Sequence, residues 1–450
     1  MSEKLINEMT ALEVQDYLVS GKSSISQFYA QLMEFVSEGD KKIHAFVNFD
    51  AKCVEAQTQT LADDRDLGRE PGPLYGVPIG LKDIIDTSDF PTEYGSVIHQ
   101  GRYAISNATL VRRLKEAGAV ILGKTATTEF AAMHPAATCN PHNLEHSPGG
   151  SSSGSAAAVA AGFVPIAIGS QTNGSLIRPA SYCGVYGFKP SRGLLPRSGV
   201  FEQSPSLDQM GVFARSLEDI ALATEIMNGD DGFDEATKAV APMRLVKTCQ
   251  SEPPVAPKFC FFKTPWWDKI DPEAQEAYEA FIAHLGQGVI TVLEMPEVVT
   301  KAVEWHRSVH LAELAFSLQK EYRHHPEQLS QTLRDQIKVG LEIPLFDYLT
   351  AKDRIAHVGN AFDEYFDHFD GIVCPAALGT APKGLSSTGD PIMQTVWSFA
   401  GLPTLNLPLL NCSNGLPLGV QMVGAYKNDG RLLRSARWLV HHFFSEETSQ

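Results

Sequence analysis

The sequence predicts an α/β chain whose central sheet is covered by helices on both faces. Short apolar runs at 119–122, 258–262 and 419–424 have the length and bounding glycines of buried strands. They alternate with longer segments of helical period, among them 11–36, 51–67 and 429–444. Such alternation of helices with uniformly apolar strands implies a sheet with no face left to water. With 450 residues and 43% apolar content the chain can bury a large core.

Taken in order, residues 11–36 place apolar positions at helical spacing in a Ser/Thr-rich frame and predict one or two surface helices. A further helix over 51–67 stops at Pro71, Gly72, Pro73 and Gly76, so 1–70 reads as a helical region packed on the core. The run 74–86 is apolar around a single lysine, Lys82, in a segment suited to a core strand. One reading pairs Lys82 with Asp83 or Asp86 at a strand end; the other makes it a desolvated amine acting as a base. Lowering a lysine pKa from about 10.4 by about three units takes on the order of 4 kcal/mol, which apolar burial can supply. Residues 109–117 predict a helix and 119–122 a strand. The letters from Gly118 to Thr125 match the P-loop pattern G-x-x-x-x-G-K-[ST]. Its four variable positions are the strand itself, and an extended apolar strand cannot cradle phosphate, so no nucleotide site is expected.

The organising stretch is 147–190, with two Gly/Ser-rich turns at 149–155 and 169–175. Between them an Ala-rich run from Ala156 predicts a buried helix, and a short apolar run predicts a strand. That order can return the two turns to one end of helix and strand, where backbone N–H groups and serine hydroxyls share a space fit for an oxyanion. Gly150 to Gly154 also spells G-x-S-x-G, but residues 139–146 before it are polar and interrupted by Pro141, so no nucleophile elbow is expected.

Beyond Pro190 the sequence predicts a helix over 216–227, loop over 229–247, a strand at 258–262, and a helix capped by Asp271 with Pro272 in its first turn. His306 and His310 have zinc-ligand spacing, but no third ligand accompanies them, so core or surface histidines and no metal are expected. Residues 305–349 are helical, and 246–370 reads as a mainly helical region on the substrate side. Segments 369–375, 398–408 and 419–424 predict strands and turns, and 429–444 a closing helix, so that 371–450 returns to the same core in one compact domain.

A net charge of -16 argues against nucleic acid and anionic membrane as main partners. Seven scattered cysteines with no C-x-x-C pair fit reduced thiols in a cytoplasmic protein. No apolar run approaches a membrane span, and the first residues lack the apolar stretch of a secretory leader.

Several motifs then fall in one order. They are Gly76-x-Pro78-x-x-x-Lys82-Asp83, Gly118 to Thr125 with Glu129-Phe130-Ala131, Pro148 to Ser155, Gly169 to Ser175, Arg178-Pro179-Ala180, Cys183-Gly184 and Gly187-Phe188-Lys189-Pro190. Cys374-Pro375 and the run from Gly415 to Gln421 complete the set. In this order the chain resembles the amidase signature family of Ser-cisSer-Lys amide hydrolases, most strongly over 60–230. The resemblance implies a large mixed sheet flanked by helices, with the signature core at 71–245. It makes Ser175 the nucleophile, Ser151 a proton relay in a cis peptide, and Lys82 the base. It places an oxyanion hole on the backbone N–H groups of Thr172, Asn173, Gly174 and Ser175. A small-molecule amide is the implied substrate, with no metal or organic cofactor, and a homodimer is the implied assembly.

Three departures matter. Ser153 stands where the family often has glycine, Gln171 stands where many members have aspartate, and Arg178 lies three residues after Ser175 rather than two. This form resembles a malonamidase-like branch, in which Arg178 is either a bidentate clamp for a substrate carboxylate or a structural arginine on loop carbonyls. The function expected is hydrolysis of a small carboxylic amide through a seryl acyl-enzyme. The alternative is the amidase subunit of a glutamine-dependent amidotransferase, against which the Gln171/Arg178 form argues mildly. A silent binding protein is a third reading, disfavoured because Lys82, Ser151 and Ser175 are all intact.

Overall fold

The computed structural model describes residues 5–238 and 241–447. Eleven strands among them form one sheet in the order β1-β3-β2-β4-β6-β5-β10-β11-β9-β7-β8. The strands are β1 Phe46–Phe49, β2 Pro78–Lys82, β3 Val120–Thr125, β4 Ile166–Gln171, β5 Tyr186–Lys189, β6 Gln209–Ala214, β7 Phe259–Lys263, β8 Ile290–Glu294, β9 Gly371–Pro375, β10 Thr404–Asn411 and β11 Pro417–Val423. β2 lies parallel to β3 and β4, and β7 parallel to β8 and β9, while the pairs from β4 through β6, β5, β10 and β11 to β9 are antiparallel. The sheet is therefore mixed. Strands β2, β3, β4, β6, β9 and β11 are buried at every position, whereas edge strand β8 is mostly exposed.

Helices cover the sheet, most through one apolar face and a few buried nearly all round. At the N-terminus come α1 Ala11–Val19, α2 Ile25–Ile43 and α3 Ala51–Asp66. Thr10 and Glu13 close a capping box on α1, and the Asp219 carboxylate accepts the N–H of Ala11 at 2.8 Å, tying that helix to the body. Next are α4 Thr109–Glu116, α5 Ser153–Ala160, α6 Ile177–Cys183, α7 Leu217–Met227, α8 Leu245–Gln250 and α9 Pro272–Leu285. Helix α5 is made of small residues for a steric reason. A Cβ on Gly154 would run into the Ala45 carbonyl and the Ala126 amide, so the helix start docks backbone to backbone. The remaining helices are α10 Val298–Ser317, α11 Gln319–His324, α12 Gln331–Glu342, α13 Leu345–Asn360, α14 Asp363–His368, α15 Ile392–Ala400 and α16 Asp429–Glu447. Helix α10 packs against α12, α13 and α15.

Some expectations need correction. Segment 229–247 is not all loop, because α8 begins at Leu245 and a single turn forms at Glu235–Thr237. Ser398 to Ala400 end α15 instead of opening a strand, since the apolar face of that helix continues through Phe399 into the core. Asp271 precedes α9 without a side-chain capping bond. Segment 246–370 also contributes two strands, β7 and β8, to the common sheet. The P-loop letters from Val120 onward lie in β3, where Lys124 is fully buried and donates to the Ile85 carbonyl at 2.7 Å and the Thr92 hydroxyl at 2.6 Å, with Asp83 3.2 Å away. That lysine is a core residue.

Candidate active site

Parallel pairing of β2 with β4 sets the end of β2 beside the turn that leaves β4, and Lys82 is the last residue of β2. Its side chain is fully buried, and its Nζ donates to the Ser151 hydroxyl at 2.7 Å and to the Ser170 hydroxyl at 2.8 Å. Neither Asp83 nor Asp86 holds it: Asp83 faces Lys124, and Asp86 pairs with Arg102. Burial pulls the Lys82 amine from 10.5 down to about 7, against the opposing pull of the Asp208 carboxylate. Asp208, itself buried, is pushed up to about 6 by desolvation.

Ser151 follows a cis peptide bond, Gly150–Ser151, and is 2% exposed. Three bonds stitch this turn to the second one. The Ser152 N–H donates to the Ser175 carbonyl at 3.3 Å, the Ser152 hydroxyl donates to the Ser170 carbonyl at 3.1 Å, and the Ser170 N–H returns to that hydroxyl at 3.3 Å. Ser153, the departure from glycine, donates its hydroxyl to the Gly149 carbonyl at 2.7 Å. The two Gly/Ser turns are therefore side by side.

The turn 172–175 is caged from several directions. Thr172 donates its hydroxyl to Asp208 at 2.5 Å, and its carbonyl faces His306 Nε2 at 3.0 Å. The Asn173 carbonyl accepts from the Ser398 hydroxyl at 2.5 Å, and the Asn173 side-chain oxygen accepts from Thr395 at 2.8 Å. Gln171 closes the far end: its oxygen takes the N–H groups of Leu176 and Ile177 at 2.9 and 3.0 Å, and its amide donates to Ser398 at 2.9 Å. Among the described residues, the backbone N–H groups of Thr172, Asn173, Gly174 and Ser175 donate no hydrogen bond within the chain. Ser175 is partly exposed, unlike Ser151.

Arg178 is buried, with Nε on the Thr388 carbonyl at 2.7 Å and Nη2 on the Gly150 carbonyl at 2.8 Å. Two of its three nitrogens hold backbone. The third, Nη1, is buried without a partner and lies beside Gly174. A bidentate grip on a carboxylate would break the Gly150 bond. His306 and His310 lie one turn apart on α10; His306 meets Thr172, and His310 Nε2 lies 3.0 Å from the side-chain oxygen of Gln203. Among the described residues no cluster of three or more His, Cys, Asp or Glu could hold a metal ion.

A cleft of about 600 Å³ opens over Asn173, walled by His306, Arg307 and His310 from α10, by Asp335 from α12 and by Thr395 from α15. A second cleft of about 700 Å³ is lined around Arg197 and Phe233, and neither cleft is lined by Lys82, Ser151 or Ser175. The first cleft reaches the turn 172–175 through Asn173. Sequence reasoning missed Ser170, Asp208, Ser398 and His306. A polar residue at the end of the apolar run 166–171 could have flagged Ser170, and a lone carboxylate among Leu207, Gln209 and Met210 could have flagged Asp208.

A family model described as Amidase matches residues 30–433. The chain belongs to the amidase family. This amidase is similar to a glutamyl-tRNA(Gln) amidotransferase subunit from Lachnospira eligens, with 31% identity over 95% of this chain and 97% of that one. It superposes with a TM-score of 0.90 and 28% identity, over 96% of this chain and 98% of the other, on a structure from a vestigial protein complex that bears on the origins of an s-triazine catabolic enzyme. Against native peptide amidase from Stenotrophomonas maltophilia the TM-score is 0.82 and the identity 25%, over 97% of each chain. The amidase is a hydrolase of carbon–nitrogen bonds in amides, on a large mixed sheet flanked by helices. No described helix is long and apolar enough to cross a membrane.

Proposed function

We propose that this amidase cleaves the C–N bond of a small carboxylic amide through an acyl-enzyme on Ser175, with Ser151 as relay and Lys82 as base. What carries the reading is the 2.7 Å contact between a fully buried lysine amine and the Ser151 hydroxyl, at the foot of a turn whose N–H groups have no partner among the described residues. A serine hydroxyl is a poor nucleophile and needs a base. A neutral amine has a lone pair, so the same contact can run with Ser151 donating. Lys82 takes the Ser151 proton as Ser151 takes that of Ser175. The Ser175 oxygen then bonds to the amide carbon, and the carbonyl oxygen becomes an oxyanion held by the N–H groups of 172–175. The C–N bond breaks as the leaving nitrogen receives a proton back through Ser151, and ammonia or an amine departs. Water, deprotonated along the same route, then releases the acid. Arg178 secures the Gly150 and Thr388 carbonyls that frame the site, and its remaining nitrogen is free for a single contact.

The test is ammonia release from primary amides with aliphatic, aromatic and carboxylate-bearing acyl groups. Release by the wild-type chain and none by Ser175→Ala is the expected result; equal release by both overturns the reading. The similarity to amidotransferase subunits favours a second reading, in which a partner protein receives the ammonia. It predicts glutamine as the preferred amide and stable co-purification with further subunits. Hydrolysis of simple amides by the isolated chain, with glutamine no better, tells against it.

A further inference from the structure

Helix α10 carries a stripe of polar side chains, His306 and Glu313 buried and His310 partly buried, spaced to share one helix face. All three bond to the loops at Thr172 and at 203–206. His306 Nε2 meets the Thr172 carbonyl at 3.0 Å, and His310 Nε2 meets the Gln203 side-chain oxygen at 3.0 Å. Glu313 accepts the hydroxyls of Ser204 and Ser206 at 2.6 Å each and the Ser206 N–H at 2.9 Å. The loop so held presents the N–H groups of Gln203 and Ser204 to one oxygen of Asp208 at 2.7 and 2.9 Å, and the other oxygen accepts the Thr172 hydroxyl at 2.5 Å. The bonds that leave α10 thus converge on Thr172 from two sides.

The protons are fixed by the partners. A carbonyl only accepts, so His306 must carry its proton on Nε2. Gln203 donates its amide to the Phe130 carbonyl at 3.0 Å, which turns its oxygen to His310 and makes that ring a donor too. Burial holds both rings well below the usual histidine range, at about 4 and about 3, so each stays neutral with one N–H. The consequence follows from peptide geometry. The Thr172 carbonyl and the Asn173 N–H belong to one planar trans unit and point in opposite directions. Holding the carbonyl toward α10 aims the N–H the other way. Ser398, on the Asn173 carbonyl, does the same for the Gly174 N–H.

We infer that His306 is a positioning residue that aims the Asn173 N–H at the developing oxyanion, with His310 and Glu313 bracing the loop that fixes Thr172 from its other side. This rests on the reading of Ser175 as nucleophile, so the test separates the two. An alkyl fluorophosphonate needs no knowledge of the natural substrate. The Ser175 oxygen bonds to phosphorus, fluoride leaves, the serine proton passes to Ser151 and Lys82, and the phosphoryl oxygen takes the oxyanion's place. Labelling rates, with the modified residue located by mass spectrometry, are compared for wild type, His306→Leu and His306→Gln, whose amide can restore the N–H.

The maximal labelling rate of His306→Leu should fall about tenfold or more, with the probe's apparent affinity within about twofold, because removing an oxyanion donor outright costs about 10²–10³ in rate. His306→Gln should regain most of the loss. If His306→Leu does not fold, as judged by its thermal transition, His306→Asn, whose amide is one methylene shorter, is read in its place. Wild-type rates in the leucine variant, equal losses in the leucine and glutamine variants, or a loss confined to affinity overturn the inference. Failure of the wild-type chain to label at Ser175 overturns the nucleophile assignment, and the positioning role with it.

Discussion

Lys82 is a lysine whose amine has been taken out of water and left with two hydroxyls for company. With its pKa near 7, only the deprotonated fraction can act as base. That fraction is roughly a tenth at one unit below the pKa, so turnover should rise about fivefold from pH 6 to 7 and level off above about pH 8. A kcat profile flat from pH 5 to 8 would remove Lys82 from the role. The Asp208 carboxylate stabilises the ammonium form, so Asp208→Asn should lower the Lys82 pKa and move the acid limb of that profile to lower pH. An unmoved limb would mean that the two groups are not coupled. For Arg178, two nitrogens on backbone carbonyls predict that Arg178→Lys depresses turnover of neutral and carboxylated amides alike. A rise in KM confined to carboxylated amides would mark a carboxylate contact instead.

Two helix contacts made by glycine set the geometry around the site. Gly154 lets α5 start against the Ala45 carbonyl, and Gly340 on α12 sits where a Cβ would meet the Leu311 carbonyl of α10. Backbone is the obstacle in both places, so neither can yield as a flexible side chain would. Gly340→Ala should cost about 1–3 kcal/mol in urea unfolding and, because α10 and α12 both wall the cleft, raise KM more than it lowers kcat. Gly154→Ala should cost more, since backbone from two separate segments, the Ala45 carbonyl and the Ala126 amide, stands where its Cβ would be.

One sheet runs through the described chain, from β1 at Phe46 to β11 at Val423, and the cysteines are distributed over the body it supports. All seven are free, with Cys53 and Cys139 partly exposed and the other five buried. A thiol reagent should titrate about two groups in the native chain and all seven in denaturant. More than two rapid native reactions would indicate that the body opens readily around at least one of the buried cysteines.

Local patterns along the chain were enough to specify much of the strand and helix menu of the core and the adjacency of the two Gly/Ser turns, and, through the family resemblance, to nominate Lys82, Ser151 and Ser175. Each of these is written over a short span, in apolar period, turn composition or ordered motif. β5 and β6 were less legible, because glycines and polar ends interrupt their apolar runs; edge strands β1 and β8 were missed because they are short and half exposed. It took the folded molecule to reveal that Lys82 answers to Ser170 and Asp208 as well as Ser151, that Arg178 is mostly engaged with backbone, and that His306 meets the Thr172 carbonyl more than 130 residues earlier. Those contacts join positions far apart in the chain. A hydrogen bond is set by distance and direction in space, and a lone polar residue in an apolar stretch does not name the partner that burial will bring to it.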